Sequence, residues 1–433
     1  MPPAGYTSPF AEALAPDLLD RFLRYVRIDT QSRRDRVSSP STPGQLELGR
    51  LLVDELHEGG LADAELDGNG YVLATLPGSD GAEDIAIGLV AHVDTSPDAP
   101  GHGVEPLVHH AYDGGVIELP REAVRLDPAT MPELRDKRGH DIVTGSGDTL
   151  LGADDKAGVA EIMTAVVHLG RHPELPRPRL RICFTPDEEI GEGATLFDIE
   201  RFGAICAYTL DGSDLGELQD ETFSAVEAIL IIDGIDVHPG QATGKLVNAL
   251  RLAARIVATL PEDLTPEATE GRDGFIHPYE LEGTARRATI RAILRDFDDD
   301  RLESHVELLR STAEGVVASA PGARLEVDVR EQYRNMRRYI DSVPYVMAAA
   351  EAAIRAEGIE PLLRPIRGGT DGSRLSEMGL PTPNIFTGGH EYHSVREWAS
   401  VQDMASAAAT VVRLCEIWTQ PEVRAAALSG AGA

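Results

Sequence analysis

Two adjacent carboxylates, Glu188 and Glu189, stand in the segment FTPDEEIGEG, directly after a short apolar run. Like charges this close make one of the two acids hard to keep ionised unless each has its own partner. The pair therefore raises the question of whether the two acids do the same chemical job. Their spacing alone leaves open which residue would do which.

A second candidate pair is His92 and Asp94 in the segment AHVDT, at the end of a predicted strand. Residues i and i+2 of an extended chain point the same way. The aspartate can therefore accept the imidazole N–H and orient the other ring nitrogen toward a metal ion. On its own, the pair is also compatible with a purely structural role.

Further acids and histidines follow other predicted strands. Asp154 in GADDKAG starts a predicted helix, where it is either an N-cap or a carboxylate that bridges two metal ions, and Asp155 competes for both roles. Asp211 in YTLDG is either a turn residue or a ligand. His390 and His393 in GGHEYHSVREW are ligand candidates, although either fits a surface loop.

Taken together, these residues indicate a metal site of imidazole and carboxylate ligands without cysteine. Such ligands suit zinc, manganese or cobalt rather than copper or an iron–sulfur cluster. Five ligands with one shared acid could hold two metal ions about 3.5 Å apart, which is the arrangement of two-metal hydrolytic sites.

The composition is that of a soluble globular chain of more than one domain: 433 residues, 42% hydrophobic and 26% charged. The net charge of −32, from 40 basic and 72 acidic residues, argues against a nucleic-acid partner. We expect no membrane span and no secretory signal. The three widely spaced cysteines argue against disulfides, so the expected location is cytoplasmic.

The elements that would position the candidates alternate between strands and helices, which predicts an α/β layer with a mainly parallel sheet. Segments 85–94, 179–189 and 205–212 each predict a strand that runs into a polar end, and the candidates at these ends are His92, Asp94, Glu188, Glu189 and Asp211. Ligands of these sheets gather at the carboxyl ends of the strands. Thr42, Pro43 and Gln45 predict the N-cap, first turn and capping box of a helix.

From about residue 223 the pattern changes to strand, helix, strand, helix, strand, which predicts a small separate α+β domain. The α/β pattern returns after about residue 340. The predicted layout is one α/β catalytic domain, residues 1–222 and 336–433, interrupted by an inserted domain, residues 223–335. The stretch 101–145 carries no clear pattern.

The motifs together resemble a large family of dinuclear zinc peptidases and deacylases. The resemblance extends in order from about residue 25 to 400 through AHVDTSPD, TLLGADDKAGVAEIMTA, FTPDEEIGEGA, YTLDG, VHPG and YHSVREW. These motifs are shared with aminoacylases and other peptidases of the family. TEGRDGF and IRGGTDGSRLSEMGLPTPNIFTGG are narrower and resemble the tripeptide aminopeptidases within it.

The resemblance implies a role for each matching position. His92 and Asp211 would hold one Zn²⁺, and Glu189 and His393 would hold a second, with Asp154 between them and Mn²⁺ or Co²⁺ as substitutes. Glu188 would be the general base, and Asp94 would orient His92. The family also has a cis peptide bond after the bridging acid, here Asp154–Asp155.

For the inserted domain, the resemblance implies a ferredoxin-like lid that also forms a homodimer. His238 would help to stabilise the oxyanion, although its position before Pro239 also fits a turn. Asn248 and Arg287 would contact substrate. Arg367, Gly368 and Gly369 would shape the pocket for the peptide ends, since a guanidinium suits a carboxylate, although Arg367 also fits an ordinary ion pair.

The function implied by the resemblance is zinc-dependent removal of the N-terminal residue from tripeptides, by attack of a water that bridges the two metals. The alternatives are a dipeptidase or N-acyl amino acid deacylase with the same metal site, and a catalytically silent binding protein. Two segments depart from the family pattern, SDLGEL after YTLDG and Ser394 after the final histidine. Both affect the expected substrate preference more than metal binding.

Overall fold

The computed structural model describes residues 5–430, which form two compact units. The first unit comprises Met1–Asp220, Met336–Arg364 and Thr370–Ala433, and the second comprises Glu221–Asn335 and Pro365–Gly369. Among the described residues, no helix combines the length and the apolar character needed to cross a membrane. Cys183, Cys206 and Cys415 are buried free thiols.

The helices are α1 (Pro9–Tyr25), α2 (Pro43–Glu58), α3 (Pro132–Arg135), α4 (Ala153–Arg171), α5 (Ile199–Phe202), α6 (Ala249–Thr259), α7 (Asp299–Ala318), α8 (Arg337–Ile340), α9 (Pro344–Ala356), α10 (Asp371–Glu377), α11 (Val401–Trp418) and α12 (Pro421–Gly430). The strands are β1 (Glu65–Leu66), β2 (Val72–Leu76), β3 (Ala86–His92), β4 (Leu107–His109), β5 (Ile117–Glu118), β6 (Arg125–Leu126), β7 (Ile142–Thr144), β8 (Arg179–Thr185), β9 (Cys206–Gly212), β10 (Glu217–Gln219), β11 (Ser224–Asp233), β12 (Phe275–Gly283), β13 (Arg287–Asp296), β14 (Arg324–Tyr333), β15 (Leu362–Leu363), β16 (Asn384–Phe386), β17 (Gly389–His390) and β18 (Trp398–Ser400).

The first unit is built on an eight-stranded sheet in the order β1-β2-β8-β3-β9-β16-β10-β15. The centre, β8-β3-β9-β16, is parallel as expected, whereas β1, β2 and β10 pair antiparallel, so the sheet is mixed. Every residue of β3 is buried. Because β8, β3 and β9 are parallel neighbours, their carboxyl ends lie at one edge of the sheet, which is where side chains can gather into a site.

Helix α4 fixes the site to the sheet because it packs on β3 and β9, while α1 and α11 pack against its outer side. It is buried on nearly all sides, and Gly158 faces Leu210 of β9. A Cβ atom at Gly158 would lie 1.9 Å from the carbonyl oxygen of Leu210 and 2.5 Å from Oδ1 of Asp155. The absence of a side chain here therefore sets the helix-to-strand distance.

We expect Gly158→Ala to lower the free energy of unfolding by about 1–3 kcal/mol, because overpacking must push α4 away from β9. The matched control is Gly315→Ala on α7, where an added Cβ meets nothing within 4 Å. That change should raise the free energy of unfolding by up to about 1 kcal/mol, since alanine is the better helix former. Urea unfolding of both variants measures the difference. Equal stability of Gly158→Ala and wild type would contradict this packing.

One sequence expectation for the first unit is wrong, and one unassigned stretch has regular structure. Helix α2 begins at Pro43 after Thr42 as predicted, but the Thr42 side chain makes no capping hydrogen bond. Gln45 Nε2 instead donates to Thr42 Oγ1 at 3.2 Å and to Asp187 Oδ1 at 2.7 Å, so the predicted capping box is wrong. The unassigned stretch 101–145 contains α3 and β4 to β7, and β4 and β7 join β17 and β18 in a second sheet.

The second unit is a four-stranded antiparallel sheet in the order β12-β13-β11-β14, with α6 and α7 packed on it. The chain order is β-α-β-β-α-β, which is the ferredoxin-like arrangement. Alternate residues of β13 are buried, as expected for a sheet that is covered on one face. Its core combines β11 and β13 residues such as Leu230 and Ile290 with Leu252 of α6 and Leu309 of α7.

Strand β12 is absent from the sequence prediction for the second unit. It lies at the edge of the sheet, most of its residues are exposed, and its register shifts between Pro278 and Glu280. A proline is tolerated only at an edge or a bulge, and an exposed edge strand needs no alternating apolar pattern. The sequence therefore lacks the periodic signal by which the other strands of this unit are recognised.

Candidate metal centre

Six candidate residues of the first unit meet at the carboxyl edge of the main sheet. His92 is the last residue of β3, Asp211 lies near the end of β9, and Asp154 lies at the start of α4. Glu188 and Glu189 open a short 3₁₀ turn, Glu188–Ile190, that follows β8. His393 lies in the loop between β17 and β18 and, like the turn residue Asp187, has a positive φ.

Asp154 lies between the two histidines and faces each with a different oxygen. Its Oδ1 is 2.9 Å from His92 Nε2, and its Oδ2 is 3.1 Å from His393 Nε2. His92 Nε2 is also 3.8 Å from Asp211 Oδ1, and His393 Nε2 is 2.9 Å from Glu189 Oε2. This arrangement is that of two ligand pairs joined by one shared carboxylate, and the Asp154–Asp155 peptide bond is cis, as the resemblance implied.

The residues present fit divalent cations. One donor atom each from His92, Asp154 and Glu189 lie within 4.8 Å of one another, and the same holds for His92, Asp155 and Asp211. Glu189 Oε1 is buried and has no hydrogen-bond partner among the described residues, so a cation would satisfy it. Imidazole and carboxylate donors suit zinc, manganese and cobalt.

Asp155, which competed with Asp154 on spacing, is engaged by the backbone. Its Oδ2 accepts the N–H of His92 at 3.1 Å, and its Oδ1 accepts the N–H of Gly158 at 3.2 Å. These bonds tie the end of β3 to the first turn of α4. The contacts therefore favour Asp154 as the shared ligand and Asp155 as a structural link.

The electrostatics show that these buried acids need positive partners. Burial, with Asp154 adding to it, raises the pKa of Glu189 to about 7. Burial and the neighbouring Asp155 and Asp154 raise the pKa of Asp211 well above its usual range. Burial would lower the pKa of His393, but its hydrogen bonds to Asp154 and Glu189 outweigh burial and raise it to about 11. Positive charge beside these acids, from His393 or from a cation, would offset the cost of keeping them ionised in the buried site.

Asp94 contacts both His92 and the turn that carries the two glutamates. Its Oδ1 accepts the N–H of Glu188 at 2.9 Å, and its Oδ2 accepts the N–H of Glu189 at 3.2 Å. Asp94 Oδ1 is also 3.3 Å from His92 Nδ1. The sequence indicated the contact with His92, whereas the contact with the turn depends on how the loops after β3 and β8 fold together.

We expect Asp94→Asn to weaken metal binding or activity by about 10–100-fold, the usual cost of losing the partner that orients a ligand. An amide offers one acceptor oxygen in place of two, so one of the two glutamate N–H groups loses its partner. Metal titration and steady-state kinetics on the purified variant measure both effects. Wild-type values for both would show that Asp94 does not support the site.

Glu188 lies beside the ligands in a setting suited to proton transfer. Burial raises its pKa well above its usual range, with His92 opposing and the neighbouring carboxylates Asp371, Asp211 and Glu189 adding to the rise. Asp371 is itself buried and accepts a hydrogen bond of 2.6 Å from Thr185 Oγ1. A carboxylate with a raised pKa is suited to accepting a proton and returning it.

A buried acid that the sequence analysis missed, Glu397, holds the backbone around Asp154. Its Oε2 accepts the N–H groups of Leu151 and Gly152, both at 2.8 Å, and its Oε1 accepts that of Asp154 at 3.0 Å. Glu397 lies in YHSVREW, four residues after His393. No periodicity or ligand spacing marks it, because its role depends on a contact between segments far apart in the chain.

His390 does not join Asp154 in the site. It is buried with its ring stacked on Trp398 at 4.2 Å, and its Nδ1 is 3.2 Å from Ser213 Oγ. Burial and the nearby Lys137 lower its pKa to about 4. Of the two histidines in GGHEYHSVREW, the structure places only His393 against Asp154 and Glu189.

The predicted oxyanion and substrate residues belong to the second unit. His238 is exposed, and its Nδ1 accepts the N–H of Gly240 at 3.1 Å. Asn248 caps α6 by accepting the N–H of Arg251 at 3.1 Å. Arg287 is exposed, with its Nε 3.7 Å from Asp233 Oδ1. Their roles toward substrate stay predictions.

Arg367 is engaged within the second unit. Its Nη1 donates to the carbonyl oxygens of Gly271 and Asp273, both at 3.0 Å, and its Nη2 donates to Thr269 Oγ1 at 2.9 Å. The guanidinium also lies over the ring of Phe223 at 5.3 Å. At Gly369, a Cβ atom would lie 2.6 Å from the ring of Tyr333. Substrate binding by these residues is also still a prediction.

The chain is similar to known proteins over nearly its whole length. Peptidase T of Geobacillus kaustophilus (strain HTA426) is 44% identical over 405 residues, which cover 93% of this chain and 98% of that protein. Peptidase T of Bacillus subtilis (strain 168) is 45% identical over 401 residues, which cover 92% of this chain and 98% of that protein.

Solved structures show the same fold. The aminopeptidase PepT from Bacillus cereus ATCC 10987 has a TM-score of 0.72 at 24% identity and covers 94% of this chain and 99% of its own. The YXEP protein of Bacillus subtilis, a dinuclear metal binding peptidase, has a TM-score of 0.65 at 15% identity. The match covers 94% of this chain and 98% of that protein. The sequence profile of peptidase family M20/M25/M40 matches residues 149–417. Together with the identity to the two Peptidase T sequences, this match shows that the chain belongs to peptidase family M20/M25/M40.

Proposed function

We propose that this protein is a metal-dependent aminopeptidase that removes the N-terminal residue from tripeptides. The main structural support for metal-dependent hydrolysis is the position of Asp154. It faces His92 with one oxygen and His393 with the other, next to Glu188. The substrate class is supported by the relatives named Peptidase T, which share 44–46% of their residues with nearly the whole chain. It agrees with the tripeptide aminopeptidase resemblance of the sequence motifs.

We propose two Zn²⁺ ions per chain as the cofactor. His92 and Asp211 would hold one, Glu189 and His393 the other, and Asp154 would be shared, in line with the distances among these side chains. Metal ions in such a site lower the pKa of water and polarise the scissile carbonyl. Mn²⁺ or Co²⁺ would suit the same imidazole and carboxylate donors.

The chain's own residues would handle the proton. Glu188 would accept a proton from the attacking water and return it to the leaving amine, a transfer that a carboxylate with a raised pKa performs efficiently. Asp94 would hold Glu188 in place through the backbone N–H of that residue. Asp211 and Glu189 would remain ionised beside the cations.

The inserted unit has a proposed role that rests on the family resemblance alone. We propose that residues 223–335 act as a lid and form a homodimer, with His238 stabilising the oxyanion. Asn248, Arg287, Arg367 and Gly369 would contact or shape the space around the peptide. The net charge of −32 supports a small peptide rather than a nucleic acid as the partner.

A panel of substrates tests the substrate class. We expect the metal-loaded protein to release the N-terminal residue from tripeptides, with much lower kcat/KM for di- and tetrapeptides and none for an N-acetylated tripeptide. Chromatography with mass detection of the products identifies the bond that is cut. Preferred cleavage of dipeptides or of N-acetyl amino acids would replace the proposal with a dipeptidase or a deacylase.

A further inference from the structure

The turn that carries Glu188 and Glu189 is set by the residue before it, Asp187. Asp187 is buried, with 1% of its surface exposed, and its φ is +60°, which is uncommon outside glycine. The Asp187 carbonyl accepts the N–H of Glu192 at 3.0 Å, and that of Glu188 accepts the N–H of Gly191 at 2.7 Å. The direction in which both glutamates leave the sheet therefore depends on this residue.

Asp187 is held by the segment that enters α2. Its Oδ2 accepts the N–H of Ser41 at 2.7 Å, and its Oδ1 accepts Ser41 Oγ–H and, at 2.7 Å, Gln45 Nε2–H. Gln45 Oε1 in turn accepts the N–H of Asp187 at 3.1 Å. Gln45 is also 1% exposed, so Gln45 and Asp187 form a buried, reciprocal pair of hydrogen bonds.

Hydrogen bonds thus hold the turn from two sides. Asp94 holds the N–H groups of Glu188 and Glu189 from the side of His92, and Gln45 and Ser41 hold Asp187 from the side of α2. The Asp187 carboxylate accepts hydrogen bonds from Ser41 and Gln45, so this acid supports the structure of the turn. Loss of these hydrogen bonds is expected to loosen the turn without changing any of the six candidate metal-site residues.

We propose that Gln45 and Asp187 are positioning residues that hold the general base Glu188 at the distance proton transfer requires. The inference rests on the proposed function, because it assigns the same base. Misplacement of a catalytic group by about 1 Å can cost about 10²-fold in rate. Loss of the Gln45–Asp187 pair is therefore expected to reduce kcat more than it raises KM.

The test exchanges the amide of Gln45 and the carboxylate of Asp187 between the two positions. In wild type, Gln45 Nε2 donates to Asp187 Oδ1 at 2.7 Å. Gln45→Glu replaces this donor with a second carboxylate, so two acids face each other. In the double variant, Gln45→Glu with Asp187→Asn, the new amide donates to the new carboxylate, and its oxygen still accepts the N–H of Ser41. Asparagine also tolerates the positive φ. The double variant thus restores the side-chain hydrogen bond between positions 45 and 187 with donor and acceptor reversed, and Ser41 Oγ would accept from the new amide instead of donating to position 187.

We expect Gln45→Glu to lower kcat for tripeptides by about 10²-fold with KM within about threefold and metal content unchanged, and we expect the double variant to recover most of the loss. Amide hydrogen exchange of the metal-free protein gives a readout apart from activity, since the segment 184–193 should exchange faster in Gln45→Glu than in the double variant. Gln420→Glu, at an exposed glutamine, is the control for the added charge. Gln45→Met, which removes both amide contacts without adding charge, is used if Gln45→Glu does not fold.

Several results would overturn the inference. They are a folded single variant with wild-type kcat, a kcat that falls only in proportion to lost metal, or a double variant no better than the single one. The wild-type protein is assayed in parallel. If wild type cleaves no tripeptide, the proposed function fails, and the exchange rates of segment 184–193 still decide whether Gln45 and Asp187 hold the turn.

Discussion

Glu188→Gln should lower kcat for tripeptide cleavage by about 10²–10⁴-fold, the usual contribution of a general acid–base residue. Glutamine keeps the size of the side chain and the backbone N–H that Asp94 accepts at 2.9 Å. It cannot accept a proton at neutral pH. The variant should therefore fold, bind metal as wild type does, and fail at proton transfer.

The neighbouring substitution Glu189→Gln is the matched control, because it makes the same chemical change one residue later. Glu189 Oε2 is 2.9 Å from His393 Nε2, and Oε1 is buried without a hydrogen-bond partner among the described residues. We expect Glu189→Gln to lose metal, whereas Glu188→Gln keeps it. Metal analysis alongside steady-state kinetics separates the two. A Glu188→Gln enzyme with near wild-type kcat would show that another group is the base.

Asp154→Asn should remove both metal affinity and activity. The two carboxylate oxygens of Asp154 face His92 and His393 at 2.9 and 3.1 Å, so one amide cannot serve both sides. The loss should exceed the 10–100-fold effect of a residue that only orients a ligand, and we expect metal binding weaker by roughly 10³-fold or more. The change removes a shared ligand, so neither ion should be retained at wild-type affinity.

Asp136→Asn is the control for Asp154→Asn, because it removes the same charge from a side chain that is 78% exposed. It should leave both metal binding and activity unchanged. Equilibrium dialysis with Zn²⁺ followed by elemental analysis measures the number of bound ions. An Asp154→Asn protein that binds two ions per chain would contradict the assignment of Asp154 as the shared ligand.

The sequence predicts much of the site because the strands that carry it have local apolar patterns and alternate with helices, which favours a mainly parallel sheet. The predicted strands in segments 85–94, 179–189 and 205–212 do pair in parallel, and parallel strands bring their carboxyl ends to one edge. The ligand set was then assigned through the family resemblance. Spacing could not separate His393 from His390 or Asp154 from Asp155, because both members of each pair are compatible with metal binding until the tertiary contacts are known.

The supporting contacts of the site that were not predicted join segments distant in sequence. Glu397 supports Asp154 across 243 positions, and Gln45 supports Asp187 across 142. Neither contact has a local signal, and the local pattern at Gln45 favoured a capping box that does not form. Strand β12 was not predicted because it is an exposed edge strand interrupted at Pro278. Such a strand is not required to alternate apolar and polar residues.

The central claim is that this chain is a metal-dependent aminopeptidase for tripeptides, and one measurement tests it most directly. The purified protein is assayed on a tripeptide of three different residues, first as isolated, then after removal of metal by a chelator, and then after addition of Zn²⁺, Mn²⁺ or Co²⁺. We predict release of the first residue, loss of activity in the chelator, and recovery with added metal. Full activity in the metal-free protein, or no cleavage with any of the three metals, would contradict the account.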